Sequence, residues 1–181
     1  MKKKYAALIF CAIGLLLGSV TSEAKKKPSV TAESAIVMDV QSGAILYEKN
    51  IDKREYPASI TKVMTALVAI ENSSLSETVT YSRNAVTNLE SGASNIEIQP
   101  GEKLSMEDSL YAILLMSANE ACNGVAEHVA GSIDNFVAMM NQKAKELGCT
   151  GTNFANANGL WMSNHYTTAH DLSLIHISEP T

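Results

Sequence analysis

The sequence has few of the features that bind nucleic acid, hold a metal or cross a membrane. Only 14 of its 181 residues are lysine or arginine, against 19 acidic residues, and an acidic chain is a poor candidate for binding nucleic acid. Its three cysteines form no Cys-x-x-Cys pair and no pairing with histidine that is typical of a metal site. The apolar run over residues 5–17 is shorter than the about 20 residues of a transmembrane helix.

The first 24 residues have the layout of an export signal. Lysines at positions 2, 3 and 4 precede the apolar run, and small residues follow it up to Ala24, the expected cleavage site. A membrane anchor is the alternative, which the short run disfavours. Lipidation of Cys11 is not expected, because apolar residues continue after it. Residues 25–33, with three lysines, would form a flexible N-terminal arm.

The rest of the chain is long enough for one main domain with a hydrophobic core. Cys122 and Cys149 remain in it, either as a disulfide outside the cell or, as we favour, as two apolar thiols. Residues 35–40 and 44–47 are β-rich and flank Gln-Ser-Gly, which predicts a hairpin. Helical spacing predicts helices over residues 60–70, 105–116, 119–130 and 133–147, and another that begins at residue 167. Residues 72–102 read as a polar surface excursion with a short β-like piece at residues 78–81.

A serine and a lysine lie three residues apart where the first predicted helix begins, in the stretch PASITKVMTALVAIE. Ser59 and Lys62 would share one helix face, so the lysine amine could take the proton of the serine hydroxyl if burial keeps that amine neutral. The helix N-terminus would also favour the negative charge that develops in acyl transfer. The alternative is that Ser59 caps the helix and Lys62 is solvated.

A second polar stretch interrupts two apolar helical segments. Ser117, Ala118 and Asn119 lie between them, where they could present a hydroxyl and a carboxamide to a cleft. In the alternative interpretation Ser117 is only the N-cap of the next helix. Glu120 follows in the first helical turn, where a glutamate usually interacts with the helix dipole.

Taken together and in this order, these motifs resemble the low-molecular-weight penicillin-binding proteins that act as serine-type D-alanyl-D-alanine carboxypeptidases. The likeness covers most of residues 34–172 and includes YPASITKVMTALVAIE, LLMSANEACNGVAEHVAGS and FVAMMNQKAKELGCTGTNFANANGL. It implies an α+β domain of the penicillin-binding protein and β-lactamase type, with an antiparallel sheet, a cluster of helices and no cofactor or metal. Residues 34–171 would be the N-terminal part of this catalytic domain.

The resemblance also implies a role for each site residue. Ser59 would attack the bond between the last two D-alanines of a peptidoglycan stem peptide, and its backbone N–H would bind the oxyanion. Lys62 would be the base, Ser117 a proton relay, and Asn119 a hydrogen-bond partner of Lys62 or of the substrate. A β-lactam would acylate Ser59, and the protein would act at the extracytoplasmic face of the cytoplasmic membrane or in the cell wall.

One motif of the family is absent from the sequence. No Lys-Thr-Gly is present, although the family carries one on a later strand that lines the site. The last ten residues, LSLIHISEPT, resemble translated sequencing-adapter DNA, so we interpret residues 172–181 as a non-native tail; a natural continuation of the helix is the alternative. We therefore expect an N-terminal fragment that is incomplete at its C-terminus, inactive alone and without its membrane-anchoring region.

Two other functions and a metal site are the alternatives to this interpretation. A class A β-lactamase is disfavoured, because Ala118 replaces its aspartate and no glutamate lies between Glu146 and Glu179. A non-catalytic penicillin-binding or wall-binding module is the alternative from a different class. His165, His170 and Asp171 could suggest a metal site, but their spacing favours capping or packing.

Overall fold

A computed structural model describes residues 28–87 and 89–178. The chain divides into two units, residues 1–31 and 32–181, and every helix and strand named below lies in the second. The predicted signal, residues 1–24, lies outside the described residues. The predicted arm, residues 25–33, is described from Pro28 onwards and contains no helix or strand in that part.

The predicted N-terminal hairpin is present. Strands β1 (Ala35–Met38) and β2 (Ile45–Lys49) pair antiparallel, with a register irregularity between Val37 and Met38. The turn is closed by Asp39, whose carboxylate accepts hydrogen bonds from the backbone N–H and the hydroxyl of Ser42. These hydrogen bonds hold the pKa of Asp39 below its ordinary value.

Helix α1 (Thr61–Asn72) is the centre of the fold, as its apolar spacing predicts. A 3₁₀ turn, Ala58–Ile60, leads into it, with Pro57 at the position where a helix start tolerates proline. Eight of its 12 residues are buried, because it contacts helices on several sides. Lys62, near its N-terminus, is one of the buried eight.

The predicted surface excursion is partly wrong, because it contributes to the core. Strand β3 (Thr78–Thr80) pairs antiparallel with β4 (Lys103–Ser105), and a short helix, α2 (Arg83–Thr87), lies between them. Val79 and Tyr81 are fully buried. The Tyr81 hydroxyl donates to Ser109 Oγ at 2.7 Å, so this aromatic ring is buried with its polar end satisfied.

Three further helices follow where the helical spacing predicts them. They are α3 (Met106–Leu115), α4 (Asn119–Ala130) and α5 (Ile133–Glu146). Ser105 Oγ accepts a hydrogen bond from the Asp108 backbone N–H, and Ser132 Oγ accepts one from that of Asn135, so both hydroxyls cap helices. Gly131 ends α4 in the left-handed conformation, where glycine is unstrained.

The last helix, α6 (Ala169–Ile177), runs into the segment that we interpret as a non-native tail. Thr168 caps it by accepting from the Asp171 backbone N–H, and Ile175 is buried in the hydrophobic core. A natural continuation of the helix, the alternative given above, would also bury Ile175 in this way. The interpretation of residues 172–181 as a non-native tail stays a prediction.

The hydrophobic core lies between the central helix and the helices around it. Its large buried members include Met64, Tyr81, Met106, Ile113, Phe136, Met140 and Phe154. Cys122 and Cys149 are buried free thiols, and burial raises the pKa of each to about 12. Across residues 28–87 and 89–178, none of the helices has the length and apolar character needed to traverse a bilayer. The helical cluster with its small antiparallel sheets agrees with the α+β class expected from the sequence.

Candidate active site

The turn before helix α1 holds Ser59 in an exposed position. Ala58 has φ of +47°, a left-handed conformation that costs a residue with a Cβ on the order of 1–2 kcal/mol. The backbone N–H of Thr61 closes the turn by donating to the carbonyls of Ala58 and Ser59. Ser59 makes no side-chain capping bond to the helix, so the capping alternative for this serine is wrong.

Lys62 points into the protein and not into solvent. Only 3% of its surface is exposed, and its Nζ lies 2.9 Å from Asn119 Oδ1 and 2.5 Å from the carbonyl oxygen of Asn158. The third neighbour of Nζ is Ser59 Oγ, at 3.5 Å. The alternative of a solvated lysine is therefore wrong, and the amine is directed at the serine hydroxyl.

Burial lowers the pKa of Lys62 below its ordinary value of 10.5, because the charged ammonium is desolvated. The thiol of Cys122 could oppose this shift only as a thiolate. Burial raises the pKa of that thiol to about 12, so it carries no charge at neutral pH. Desolvation is therefore the effect that governs Lys62 near neutrality.

The junction of α3 and α4 brings Ser117 and Asn119, the first residue of α4, next to Ser59 and Lys62. Ser117 has φ of +55°, and its hydroxyl donates to Ser59 Oγ at 3.0 Å. The N-cap of α4 is Ala118, so the capping alternative for Ser117 is also wrong. Asn119 accepts from Lys62 through Oδ1 and donates through Nδ2 to the Ser94 carbonyl, which fixes the orientation of its amide.

Ser59 opens onto a cleft of about 370 Å³. Residues 92–94 line this cleft, together with Asn158, Gly159 and Trp161. Trp161 is 67% exposed, with its ring centroid 6.4 Å from that of Tyr56. A small polar ligand could therefore reach the hydroxyl of Ser59 past an aromatic rim.

The loop over residues 155–160 contributes groups that the sequence did not single out. Asn158 supplies its main-chain carbonyl to Lys62, and Ala157 supplies its own to Thr65 Oγ1 at 2.6 Å. Gly159 lies so close to the turn that a Cβ would be 1.9 Å from the Ala58 oxygen. The sequence signal for this loop is the Asn-Gly pair at positions 158 and 159, which is typical of a turn. The pair does not indicate which residues the turn contacts.

Three other residues singled out in the sequence form hydrogen bonds with nearby loops or helix ends. Glu120 lies in the first turn of α4, as predicted; it is 1% exposed, and its Oε1 accepts from the Ile96 N–H at 2.6 Å, so it also holds a loop. Asp171 is buried and accepts from the N–H of Gly151 and the hydroxyl of Thr152. His165 is bound to Thr61 and Ala155, as packing predicts.

No group of three or more potential metal ligands occurs among the described residues. The cluster of Ser59, Lys62, Ser117 and Asn119 brings a serine hydroxyl next to a buried amine, which is the arrangement that nucleophilic catalysis by a serine requires. The family model for D-alanyl-D-alanine carboxypeptidases, Peptidase S11, matches residues 21–179. The chain belongs to this family.

Relatives that are similar in sequence are named D-alanyl-D-alanine carboxypeptidases. The chain is 34% identical to D-alanyl-D-alanine carboxypeptidase DacF of Bacillus subtilis, over 96% of this chain and 46% of that protein. It is 36% identical to DacC of Escherichia coli, over 82% of this chain and 39% of that protein. The chain thus spans less than half the length of these curated relatives.

Solved structures of similar proteins share the fold. The D-alanyl-D-alanine carboxypeptidase DacD from Francisella tularensis superposes with a TM-score of 0.79 at 36% identity, over 84% of this chain and 38% of that one. Penicillin-binding protein 6B from Escherichia coli gives 0.81 at 28% identity, over 87% and 52%. The domain is therefore of the penicillin-binding protein type.

Proposed function

We propose that the protein to which this chain belongs is a serine-type D-alanyl-D-alanine carboxypeptidase with Ser59 as its nucleophile. Ser59 Oγ would attack the carbonyl carbon between the last two D-alanines of a peptidoglycan stem peptide. The C–N bond then breaks, D-alanine leaves, and water hydrolyses the acyl-enzyme. The observation that carries the proposal is the convergence of Lys62 Nζ and Ser117 Oγ on Ser59 Oγ, at 3.5 and 3.0 Å.

Lys62 is the proposed base for the attack. A neutral amine has two N–H groups and one lone pair, and two carbonyl oxygens, from Asn119 and Asn158, accept at Nζ. With both N–H groups engaged in this way, the lone pair is left for the proton of Ser59. Burial, which lowers the pKa of Lys62, raises the fraction of amine that is in this neutral form.

Ser117 is the proposed proton relay to the leaving group. Its hydroxyl donates to Ser59 Oγ at 3.0 Å, and Ser59 lines the cleft in which the leaving amine would be released. After Lys62 has taken the proton of Ser59, Ser117 would give its hydroxyl proton to the amine nitrogen of D-alanine and recover a proton from the Lys62 ammonium, which returns that lysine to its neutral form. The backbone N–H of Ser59, at the start of the helix, is the proposed oxyanion donor from this chain.

The substrate class, the inhibitors and the location follow from the family and belong to the same proposal. The partners would be the D-alanyl-D-alanine end of a peptidoglycan stem peptide and β-lactam antibiotics, which would acylate Ser59. Residues 1–24 would export the protein to the extracytoplasmic face of the cytoplasmic membrane. Any membrane association would come from regions beyond this chain, and residues 172–181 would be a non-native tail.

Covalent labelling with a fluorescent penicillin tests the nucleophile. The relatives are more than twice as long as the part matched here, so the complete gene product is labelled in parallel with the 181-residue chain. The complete protein should be labelled and should release D-alanine, and Ser59→Ala should abolish both. Labelling of the complete Ser59→Ala protein would rule out Ser59 as the nucleophile, and labelling without D-alanine release would identify a non-catalytic penicillin-binding module.

A further inference from the structure

The wall of the cleft contains a buried imidazole that the proposed mechanism does not use. His165 is only 2% exposed and lines the same cleft as Ser59. Its Nδ1 lies 3.0 Å from the backbone nitrogen of Ala155, and its Nε2 lies 2.7 Å from Thr61 Oγ1. Both ring nitrogens are thus engaged, one with a late loop and one with the start of helix α1.

The two contacts determine which nitrogen of His165 carries the proton. The backbone N–H of Ala155 can only donate, so Nδ1 must be the unprotonated acceptor. The proton of the neutral ring is then on Nε2, which donates to Thr61 Oγ1. The ring edge is covered by Phe154, whose centroid is 5.8 Å away.

Burial keeps the imidazole in this neutral form. It lowers the pKa of His165 to about 4, and among the described residues no charged side chain contributes to the shift. The groups in contact with the ring, Thr61, Ala155 and Phe154, do not titrate. A protonated ring would have donors on both nitrogens and would leave the Ala155 N–H without an acceptor.

Thr61 connects the imidazole to the reacting groups. It follows Ser59 by two residues, immediately precedes Lys62, and closes the turn through its backbone N–H. Its Oγ1 would lie 3.1 Å from a Cβ at Gly159, so it also packs against the loop that carries the Asn158 carbonyl. The chain from Ala155 through His165 to Thr61 therefore ties that loop to the serine turn.

We propose that His165 is a positioning residue, which uses the proton on Nε2 to hold the turn bearing Ser59 against the loop bearing the Asn158 carbonyl. The inference rests on the proposed function, because its consequence is the alignment of Ser59 with Lys62. His165 is not assigned a contact with the reacting atoms. Its removal should slow acylation more than it weakens binding, since small misplacements of reacting groups can cost about 100-fold in rate.

Matched substitutions separate the two contacts of the ring. An asparagine at position 165 can place an oxygen near the Nδ1 position and keep the Ala155 contact, but it loses the donor to Thr61. A glutamine at position 165 can place its amide nitrogen near the Nε2 position and keep that donor. Thr61→Val removes the acceptor on the other side and is close to threonine in shape.

Acylation of the complete gene product by fluorescent penicillin measures the effect. We expect His165→Asn and Thr61→Val each to lower the limiting acylation rate about 10- to 100-fold, with half-saturation changed less than about threefold. His165→Gln should retain most of the rate, and the double variant that combines His165→Asn with Thr61→Val should lose little more than either single variant. Equal limiting rates in all of these proteins, with labelling intact, would overturn the positioning role.

A measurement that needs no activity tests the link itself. Nitrogen NMR of the imidazole in the 181-residue chain should show a protonated Nε2 and an unprotonated Nδ1, with the ring neutral down to about pH 4. A protonated Nδ1, or titration near the ordinary value of 6.5, would overturn the inference. If the unaltered complete protein were not labelled although the NMR result held, the proposed function would fail and the link would stand.

Discussion

The backbone of Gly159 lies directly against the carbonyl of Ala58, one residue before the candidate nucleophile. A Cβ at position 159 would lie 1.9 Å from the Ala58 oxygen, and Gly159 has φ of +84°. We predict that Gly159→Ala destabilises the fold by at least about 3 kcal/mol, because it adds a backbone clash to the left-handed strain. Urea unfolding of the 181-residue chain measures the change.

Gly148→Ala is the matched control for this prediction. Gly148 has nearly the same φ, +83°, but nothing lies within 4 Å of an added Cβ. Its substitution should cost only the strain, about 1–2 kcal/mol. Equal losses at positions 148 and 159 would mean that the close approach to Ala58 contributes nothing.

Replacement of Lys62 should change how stability depends on pH. The pKa of Lys62 is lowered in the folded state, so between that lowered value and 10.5 the unfolded chain binds more protons than the folded one. The contribution of Lys62 to the free energy of unfolding therefore rises with pH between these two pKa values. Below the lowered pKa the lysine is charged in the folded state, and the whole cost of burying that charge is present. The free energy of unfolding of wild type relative to Lys62→Met should increase as the pH rises from the lowered pKa of Lys62 towards 10.5.

The matched comparison is Lys143→Met. Lys143 pairs with Glu71 at 2.6 Å on the surface, and its pKa is raised, so its removal should not reproduce the rising difference. A difference between wild type and Lys62→Met that stays flat over this pH range would show that Lys62 is not desolvated.

A carboxylate in place of the Asn119 amide should impair the proposed base. Asn119 Oδ1 is 2.9 Å from Lys62 Nζ, so Asn119→Asp would place a negative charge beside the amine and raise its pKa. We expect acylation of the complete gene product by fluorescent penicillin to fall about 100-fold at neutral pH and to recover partly as the pH is raised. Asn119→Ala also loses the donor to the Ser94 carbonyl but adds no charge, so its rate should not recover with pH.

Trp161 should report directly on occupancy of the cleft. It is the single tryptophan of the sequence, lies in the cleft lining and is 67% exposed. A ligand that covers the ring should shift its emission to shorter wavelength, because it displaces water from the indole. In the complete protein with Ser59→Ala, the Trp161 signal, measured as the difference from the same protein carrying Trp161→Phe, should keep a rapid binding phase and lose the slower covalent one; an unchanged slow phase would place the covalent event elsewhere.

The sequence was sufficient to predict the elements whose signals are local. The hairpin, helix α1 and the helices capped by Ser105 and Ser132 depend on spacing and capping chemistry within a few residues. The helix junction after α3 was also visible, because small polar residues interrupt two apolar stretches. Ser59, Lys62, Ser117 and Asn119 were found through these motifs, and the structure brings them together.

The parts that escaped prediction depend on contacts between distant segments. The Asn158 carbonyl is a backbone group, so no side-chain pattern reveals that it binds Lys62, 96 residues earlier. His165 was weighed as a metal ligand against packing and Glu120 as a partner of the helix dipole, but which groups they contact is decided by tertiary packing. Residues 78–81 were predicted as a short β-like piece of a surface excursion, and their polar neighbours obscured the fact that Val79 and Tyr81 are core positions.

The environment of Lys62 has a consequence for the order of events during synthesis. Its two carbonyl partners lie 57 and 96 residues further along the chain, and without them and the packing around them the amine is in contact with water. A growing chain that has not yet reached Asn158 therefore carries an ordinary protonated lysine beside an ordinary hydroxyl. If Ser59 and Lys62 are the nucleophile and base proposed above, the pair forms only when the late loop docks, and a half-made protein holds no activated serine that could react with its surroundings.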